Sequence, residues 1–313
     1  MLERCIFGIE NVPESLERCA LTIGKFDGVH RGHQAIIGRA IELGRNEGIP
    51  AIALTFEPPP EMVLRPDSAS PRICSPERKV ELLLQTGLDS VCIAHASREL
   101  FSMSPQQFID DVLVDTFHVR HIVEGDNFFF GSKRSGNVDT LRQAGQELGF
   151  DTHVVRPKNI ELEGDMQRIS SSLVRSLVAE GRVQDAAHCL GRLFELEGTV
   201  VRGRGRGRGW SFPTANLDTG EHIVPKDGVY AGWAELAGTD HPAAISIGCN
   251  PTVGGTERVV EAFLLDTEGH YYEQSMTLKF MEYLRPQERF ESEQLLRAQI
   301  AKDVARVREL CDR

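Results

Sequence analysis

Two histidines three residues apart, His30 and His33, stand in the stretch Thr22-Ile-Gly-Lys-Phe-Asp-Gly-Val-His-Arg-Gly-His33. Apolar residues 20–23 before them read as a short strand, and apolar positions 36, 37, 40, 41 and 43 after them mark one face of a helix. The pair therefore sits where a helix begins. Backbone N–H groups there lack intrahelical acceptors and the positive end of the dipole attracts anions; Gly28 and Gly32 let a phosphate come close. Two imidazoles would add donors aimed at the same anion. The spacing also suits surface histidines or part of a zinc site, but zinc needs further ligands and no cysteine or carboxylate cluster accompanies the pair.

The elements that must hold these residues follow from periodicity. Residues 49–56, 91–94, 121–124 and 152–155 are strand-like, and between them lie helical patterns. One opens at Ser75-Pro76, read as a capping serine and a proline at the first position; another begins with a capping box, Ser104-Pro105-Gln106-Gln107; a third covers 141–148. Such alternation predicts a parallel sheet covered by helices, with ligands beyond the carboxyl ends of the strands. Three loops should then converge: the histidine loop, Glu57-Pro58-Pro59-Pro60, and Gly125-Asp126-Asn127-Phe128-Phe129-Phe130-Gly131. The phenylalanines read either as core or as an apolar wall for a flat heterocycle. Next comes Arg168-Ile-Ser-Ser-Ser-Leu-Val-Arg175, in which Ser170 and Ser171 read as ordinary helix caps or, with Arg175, as anion donors.

Beyond Cys189 the style changes to closely spaced strands, at 197–201, 229–236, 243–248, 259–265 and 276–280, which suggests a β-barrel. A final amphipathic helix, 292–310, carries Leu296, Ile300, Val304 and Val307 on one stripe and is expected to pack on the barrel. The expected domains are 1–186 and 187–313. The run Arg202-Gly-Arg-Gly-Arg-Gly-Arg-Gly209 is short and flanked by strand and turn signals, which favours an anion loop on Gly203, Gly205 and Gly207 over a disordered RNA-binding segment. No Gly-Lys-Ser/Thr ends it, so it is not a Walker loop.

Bulk properties narrow the classes. A chain of 313 residues with 41% hydrophobic and 26% charged residues suits one large or two ordinary soluble domains, and a net charge of −11 argues against a general nucleic-acid or membrane-surface binder. Seven scattered cysteines without a C-x-x-C pair, and no apolar run fit for a signal peptide or span, predict a cytoplasmic protein. The oligomeric state is left open.

These strings together resemble the bacterial bifunctional riboflavin kinase/FAD synthetase family over nearly the whole chain. Gly-Lys-Phe-Asp-Gly-Val-His-Arg-Gly-His is similar to the family's nucleotidyltransferase motif, which implies that His30 and His33 hold ATP phosphates and that Gly24, Phe26, Asp27 and Gly28 line the nucleotide. Gly125, Asp126, Asn127 and Phe128 resemble the flavin and nucleotide pocket segment; Ser170, Ser171 and Arg175 resemble the serine–arginine triphosphate motif. Phe212-Pro-Thr-Ala-Asn216 resembles the kinase segment whose Thr214 and Asn216 would hold Mg²⁺ with ATP. Val260-Glu-Ala-Phe-Leu-Leu-Asp266 makes Glu261 the catalytic base, and Leu284-Arg-Pro-Gln-Glu-Arg-Phe290 places Arg285 on the flavin side. Lys25, Pro59, Ser211, Val253 and Phe263 depart from the commoner Asn, His, Gly, Phe and His. The resemblance implies a Rossmann-like nucleotidyltransferase domain followed by a riboflavin-kinase barrel, making FMN and then FAD from riboflavin and ATP. A chain retaining one activity, and a flavin-binding regulator without turnover, are the alternatives.

Overall fold

In the computed structural model, which describes residues 2–202, 214–249, 258–267 and 271–312, the chain divides into Met1–Ser70 with Pro76–Ile169, and Pro71–Ser75 with Ser170–Arg313.

The first unit runs β1 (Cys5–Phe7), β2 (Cys19–Ile23), α1 (Arg31–Glu47), β3 (Ala51–Glu57), α2 (Pro60–Leu64), α3 (Pro76–Gln85), β4 (Ser90–His95), α4 (Arg98–Ser102), α5 (Pro105–Gln107), β5 (Val119–Gly125), β6 (Phe129–Phe130), β7 (Gly136–Asn137), α6 (Val138–Leu148), β8 (Asp151–Val155), β9 (Asn159–Leu162) and β10 (Asp165–Arg168). Six strands form one sheet in the order β1-β4-β3-β2-β5-β8, with every pairing parallel. A parallel sheet is covered on both faces, which is why β2, Cys-Ala-Leu-Thr-Ile, has no polar edge and is buried throughout. Leu21, Ile23, Leu54 and Ile122 face a core with Ile109, Val112, Leu113 and Phe117; Ala20 and Val123 turn the other way, against Ala40 and Leu43 of α1. After β2 the chain moves outward through β3 and β4, whereas β5 and β8 lie on the other side. The crevice of the fold is therefore at the carboxyl ends of β2 and β5.

Two local expectations meet detail here. The capping box at Ser104 and Gln107 forms, but only one α-turn follows before a π-helix, Phe108–Val114. Phe108, Ile109, Val112 and Leu113 are buried, and this repeat of four suits the wider helix. Ser75, before α3, donates its hydroxyl to Glu197 Oε1 at 2.9 Å and its N–H to Oε2 at 2.8 Å, a contact across 122 residues that the local pattern did not announce.

The second unit begins with α7 (Ser171–Ala179) and α8 (Val183–Leu190), followed by β11 (Phe194–Val201), β12 (Ala215–Asp218), β13 (Gly228–Leu236), β14 (Thr239–Cys249), β15 (Arg258–Leu264), β16 (Ser275–Arg285) and α9 (Glu293–Cys311). The strands close an antiparallel barrel in the order β11-β12-β15-β14-β13-β16. Leu196, Leu217, Ala234, Ile245, Ala262, Leu278 and Phe280 are buried in it. Gly232 sits at a register shift of β13, where a Cβ would stand 2.0 Å from the Lys279 carbonyl; only glycine permits that approach. β12 was not among the expected strands. Helix α9 packs through Val304, Val307 and Leu310 against Ala231, Phe263 and Leu265; of the expected stripe, Val304 and Val307 lie in this cluster. Its other anchor was not foreseen: buried Asp303 accepts from Arg285 Nη2 at 2.7 Å and from Nε at 3.1 Å.

Candidate functional site

The loop between β2 and α1 is wound tightly. Phe26 (φ 50°), Gly28 (φ 79°) and Val29 (φ 40°) all lie in the left-handed region, and the Val29 N–H closes the turn on the Phe26 carbonyl at 3.0 Å. A β-branched valine there is costly, and such strain collects at functional loops. Phe26 and Val29 are buried beneath the turn, and a Cβ on Gly24 would stand 3.1 Å from the Phe26 ring.

His30 is the N-cap of α1, its Nδ1 accepting the His33 N–H at 3.2 Å. An imidazole thus does what serine or aspartate usually does, and its Nδ1 cannot carry a proton while it accepts. The two rings stack with centroids 3.6 Å apart, and Phe26 meets His33 edge-on at 5.2 Å. His33 Nδ1 is buried with no hydrogen-bond partner in the protein. Burial first, then the neighbouring His30 and Lys25, hold the His33 imidazole well below its ordinary 6.5, so it is neutral at physiological pH. The arrangement is an aromatic-backed pair of imidazoles, that of His33 neutral, on the positive end of a 17-residue helix.

The loops after β2, β3 and β5 do come together. Lys25 meets Glu61 of α2 at 2.9 Å, and its carbonyl accepts from the Thr55 hydroxyl at 3.3 Å. Pro59 is the N-cap of α2, where its ring offers no side-chain hydrogen bond. At the crevice, the Ile23 N–H donates to buried Glu124 Oε1 at 2.7 Å. The β2–β5 ladder ends at the pair Leu21 and Ile122, so a side chain supplies the bond where the strands part. Burial pushes the Glu124 carboxyl well above its ordinary 4.5, partly offset by the Ile23 hydrogen bond. Gly125 ends β5; exposed Asp126 and Asn127 both accept from Arg168 Nη2, at 2.6 and 2.8 Å. Phe128 is half-buried and stacks on Phe130, a core residue, while Phe129 is exposed under the Arg134 guanidinium. Asp27 is half-buried in the histidine loop. Glu124 and Arg168 were not expected site residues. A carboxylate inside an apolar strand was the available signal for the first.

The expected serine–arginine segment belongs to the second unit. Ser170 is the N-cap of α7, accepting the Leu173 N–H at 3.2 Å; Ser171 is the first helical residue; Arg175 Nε donates to the Pro71 carbonyl at 2.7 Å. In the barrel, Asn216 of β12 pairs with Glu261 of β15, which pairs in turn with Ser246 of β14. All three are half-buried between buried neighbours, and Thr214 stands one residue before β12. A carboxylate thus stands beside amide and hydroxyl oxygens, a hard-donor set suited to a Mg²⁺-bound polyphosphate. Ser246 accepts from Gln287 Nε2 at 2.9 Å, a contact the sequence did not announce. Arg285, expected beside flavin, has its fork engaged by Asp303. Gly203, Gly205 and Gly207, with Ser211 and Val253, lie outside the described residues.

Comparison with known proteins gives this geometry its context. The FAD synthetase family model matches residues 12–173, and the riboflavin kinase family model matches residues 190–311. The chain is 36% identical to a bifunctional riboflavin kinase/FMN adenylyltransferase of Pseudomonas fluorescens, covering 97% of this chain and 96% of the relative. It is also 36% identical to the enzyme of that name from Escherichia coli K12, over 98% and 97%. A crystal structure described as a macrolide-efflux protein from Streptococcus pneumoniae superposes with a TM-score of 0.85 at 26% identity, covering 97% of this chain and 99% of that one. Among the described residues no helix is long and apolar enough to cross a membrane.

Proposed function

The chain belongs to the bifunctional riboflavin kinase/FMN adenylyltransferase family, and from that premise we propose which of its residues carry each of the two reactions. It phosphorylates riboflavin to FMN and transfers AMP from ATP to FMN, giving FAD and pyrophosphate. The observation supporting the assignment of roles is that the stacked histidines at the α1 N-terminus and the Asn216–Glu261 pair fixed by barrel register stand on separate frames.

For phosphorylation, Glu261 takes the proton of the ribityl 5′-hydroxyl as its oxygen bonds to the γ-phosphorus and the bond to ADP breaks. Thr214 and Asn216 would hold the Mg²⁺ of ATP, which would supply charge neutralisation at the polyphosphate. The glycines at 203, 205 and 207 would cradle phosphate, and Arg285 would act through the flavin-side segment that it fixes onto α9.

For adenylyl transfer, an FMN phosphate oxygen attacks the ATP α-phosphorus in line, and the bond to pyrophosphate breaks without a covalent enzyme intermediate. His30 and His33 donate to phosphate oxygens, while Gly24, Phe26, Asp27 and Gly28 shape the approach. Ser170, Ser171 and Arg175 bind polyphosphate, with Ser170 acting through the cap. Gly125, Asp126, Asn127 and Phe128 line the flavin nucleotide. No general acid is needed, so the two imidazoles serve by position. We place the functional boundary at 186/187 and the protein in the cytoplasm, with ATP, riboflavin and FMN as its partners and neither nucleic acid nor membrane among them.

His33→Ala should lower FAD formation from supplied FMN by roughly 10²-fold, the cost of losing one preorganised donor, and leave FMN formation from riboflavin nearly intact. Glu261→Ala should do the reverse. Loss of both activities in either folded variant would contradict the assignment.

A further inference from the structure

At the amino ends of β5 and β8, away from the crevice, lies a cluster that neither reaction uses. His121 pairs with Asp151, and Val123 with His153, so alternation sets His121, Asp151 and His153 on one face. Each offers a ligand atom, and these atoms all lie within 4.8 Å of one another. His121 is 97% buried, being 3% exposed. Its Nδ1 is 3.2 Å from His153 Nε2 and 3.7 Å from Asp151 Oδ2. Donors about 2.0–2.1 Å from a tetrahedral zinc stand roughly 3.3–3.4 Å from each other, so these separations are nearly those of a coordination shell. The other ring nitrogen, Nε2, is 2.9 Å from Glu47 Oε1, close but off the N–H axis. A small rotation of that half-exposed carboxylate would give the carboxylate–histidine–metal relay and leave Nδ1 unprotonated toward the site. Arg120 Nη1 also donates to Asp151 Oδ2 at 2.8 Å, which fixes the carboxylate whose Oδ2 faces His121. Asp151 is also half-exposed, which gives an ion entry and a water its place.

We propose that His121, Asp151 and His153 form a binding site for a divalent transition metal of the zinc class, with Glu47 as the outer partner of His121. The ion would tie the carboxyl end of α1, through Glu47, to β5 and β8. Those elements carry His33 and the Gly125–Phe128 loop at their other ends, so the site is a staple for the frame of the transferase. The rival is a direct hydrogen bond between His121 and His153, which accounts for the 3.2 Å contact without an ion.

The test uses the full chain stripped by chelation, titrated with Zn²⁺ alone by calorimetry and with Co²⁺ by absorption, and melted with and without Zn²⁺. Wild type should bind one equivalent more than His153→Gln or Asp151→Asn, show a tetrahedral Co²⁺ spectrum that both variants lack, and gain thermal stability on loading. Glu47→Gln should weaken that equivalent at least ~10-fold. Riboflavin phosphorylation should be unchanged in all three variants. Equal stoichiometry and affinity in wild type and variants would overturn the site. Should His153→Gln fail to fold, the comparison with Asp151→Asn, at a half-exposed position, decides it.

Discussion

His33 shows how the fold sets one imidazole in a fixed, uncharged state. Its ring is clamped between His30 and Phe26, its Nδ1 has no partner in the protein, and burial keeps it uncharged. Below pH 6.5 the unfolded chain takes up a proton that His33 refuses, so this group lowers stability as pH falls through that range. Glu124 works with the opposite sign. Its raised folded value means that the native carboxyl keeps its proton above pH 4.5, where the unfolded chain has released it. The stability this gives is fully present below 4.5 and is lost as pH rises through the folded value. Glu124→Gln keeps an oxygen for the Ile23 N–H and removes the cost of ionisation. It should raise Tm at pH 8 and leave Tm near pH 4.5 little changed, as melts across pH would show; a lower Tm at pH 8 would mean that the ionised carboxylate is the stable form.

At the scale of elements, the sites depend on what fixes each strand or helix end. The Arg285–Asp303 pair, 15% and 8% exposed at the side chains, holds α9 to the end of β16. Asp303→Ala would leave a nearly buried guanidinium unpaired, and the barrel unit should lose about 3 kcal/mol, within the range for breaking such a pair. Denaturant unfolding would measure the loss, and a change under ~0.5 kcal/mol, the scale of exposed ion pairs, would show that the pair is idle. Much of the element order was legible because buried parallel strands are short apolar runs and α1 repeats its apolar face at helical spacing. β12 was not, since four residues, Ala-Asn-Leu-Asp, have too little pattern outside their ladder. The partners of a helix are equally hidden: periodicity shows that α7 and α8 have apolar faces, not that they pack with each other and, through α8, against β11 and β16. The histidine site was readable because its spacing is local. Glu124, Arg168 and Gln287 were not, because their contacts span 101, 42 or 41, and 41 or 40 residues.

For the whole molecule, the chain carries two phosphate-handling chemistries on unlike frames, a parallel α/β sheet and a closed barrel, matched by separate family models over 12–173 and 190–311. The product of the kinase reaction, FMN, is the substrate of the adenylyl transfer. The most direct test is a time course of the purified full chain with riboflavin, ATP and Mg²⁺, in which riboflavin, FMN and FAD are resolved by chromatography. FMN should rise first and FAD follow, with one pyrophosphate per FAD. FMN accumulating without FAD, even when FMN is supplied directly, would contradict the two-activity account, as would a folded protein that forms neither product.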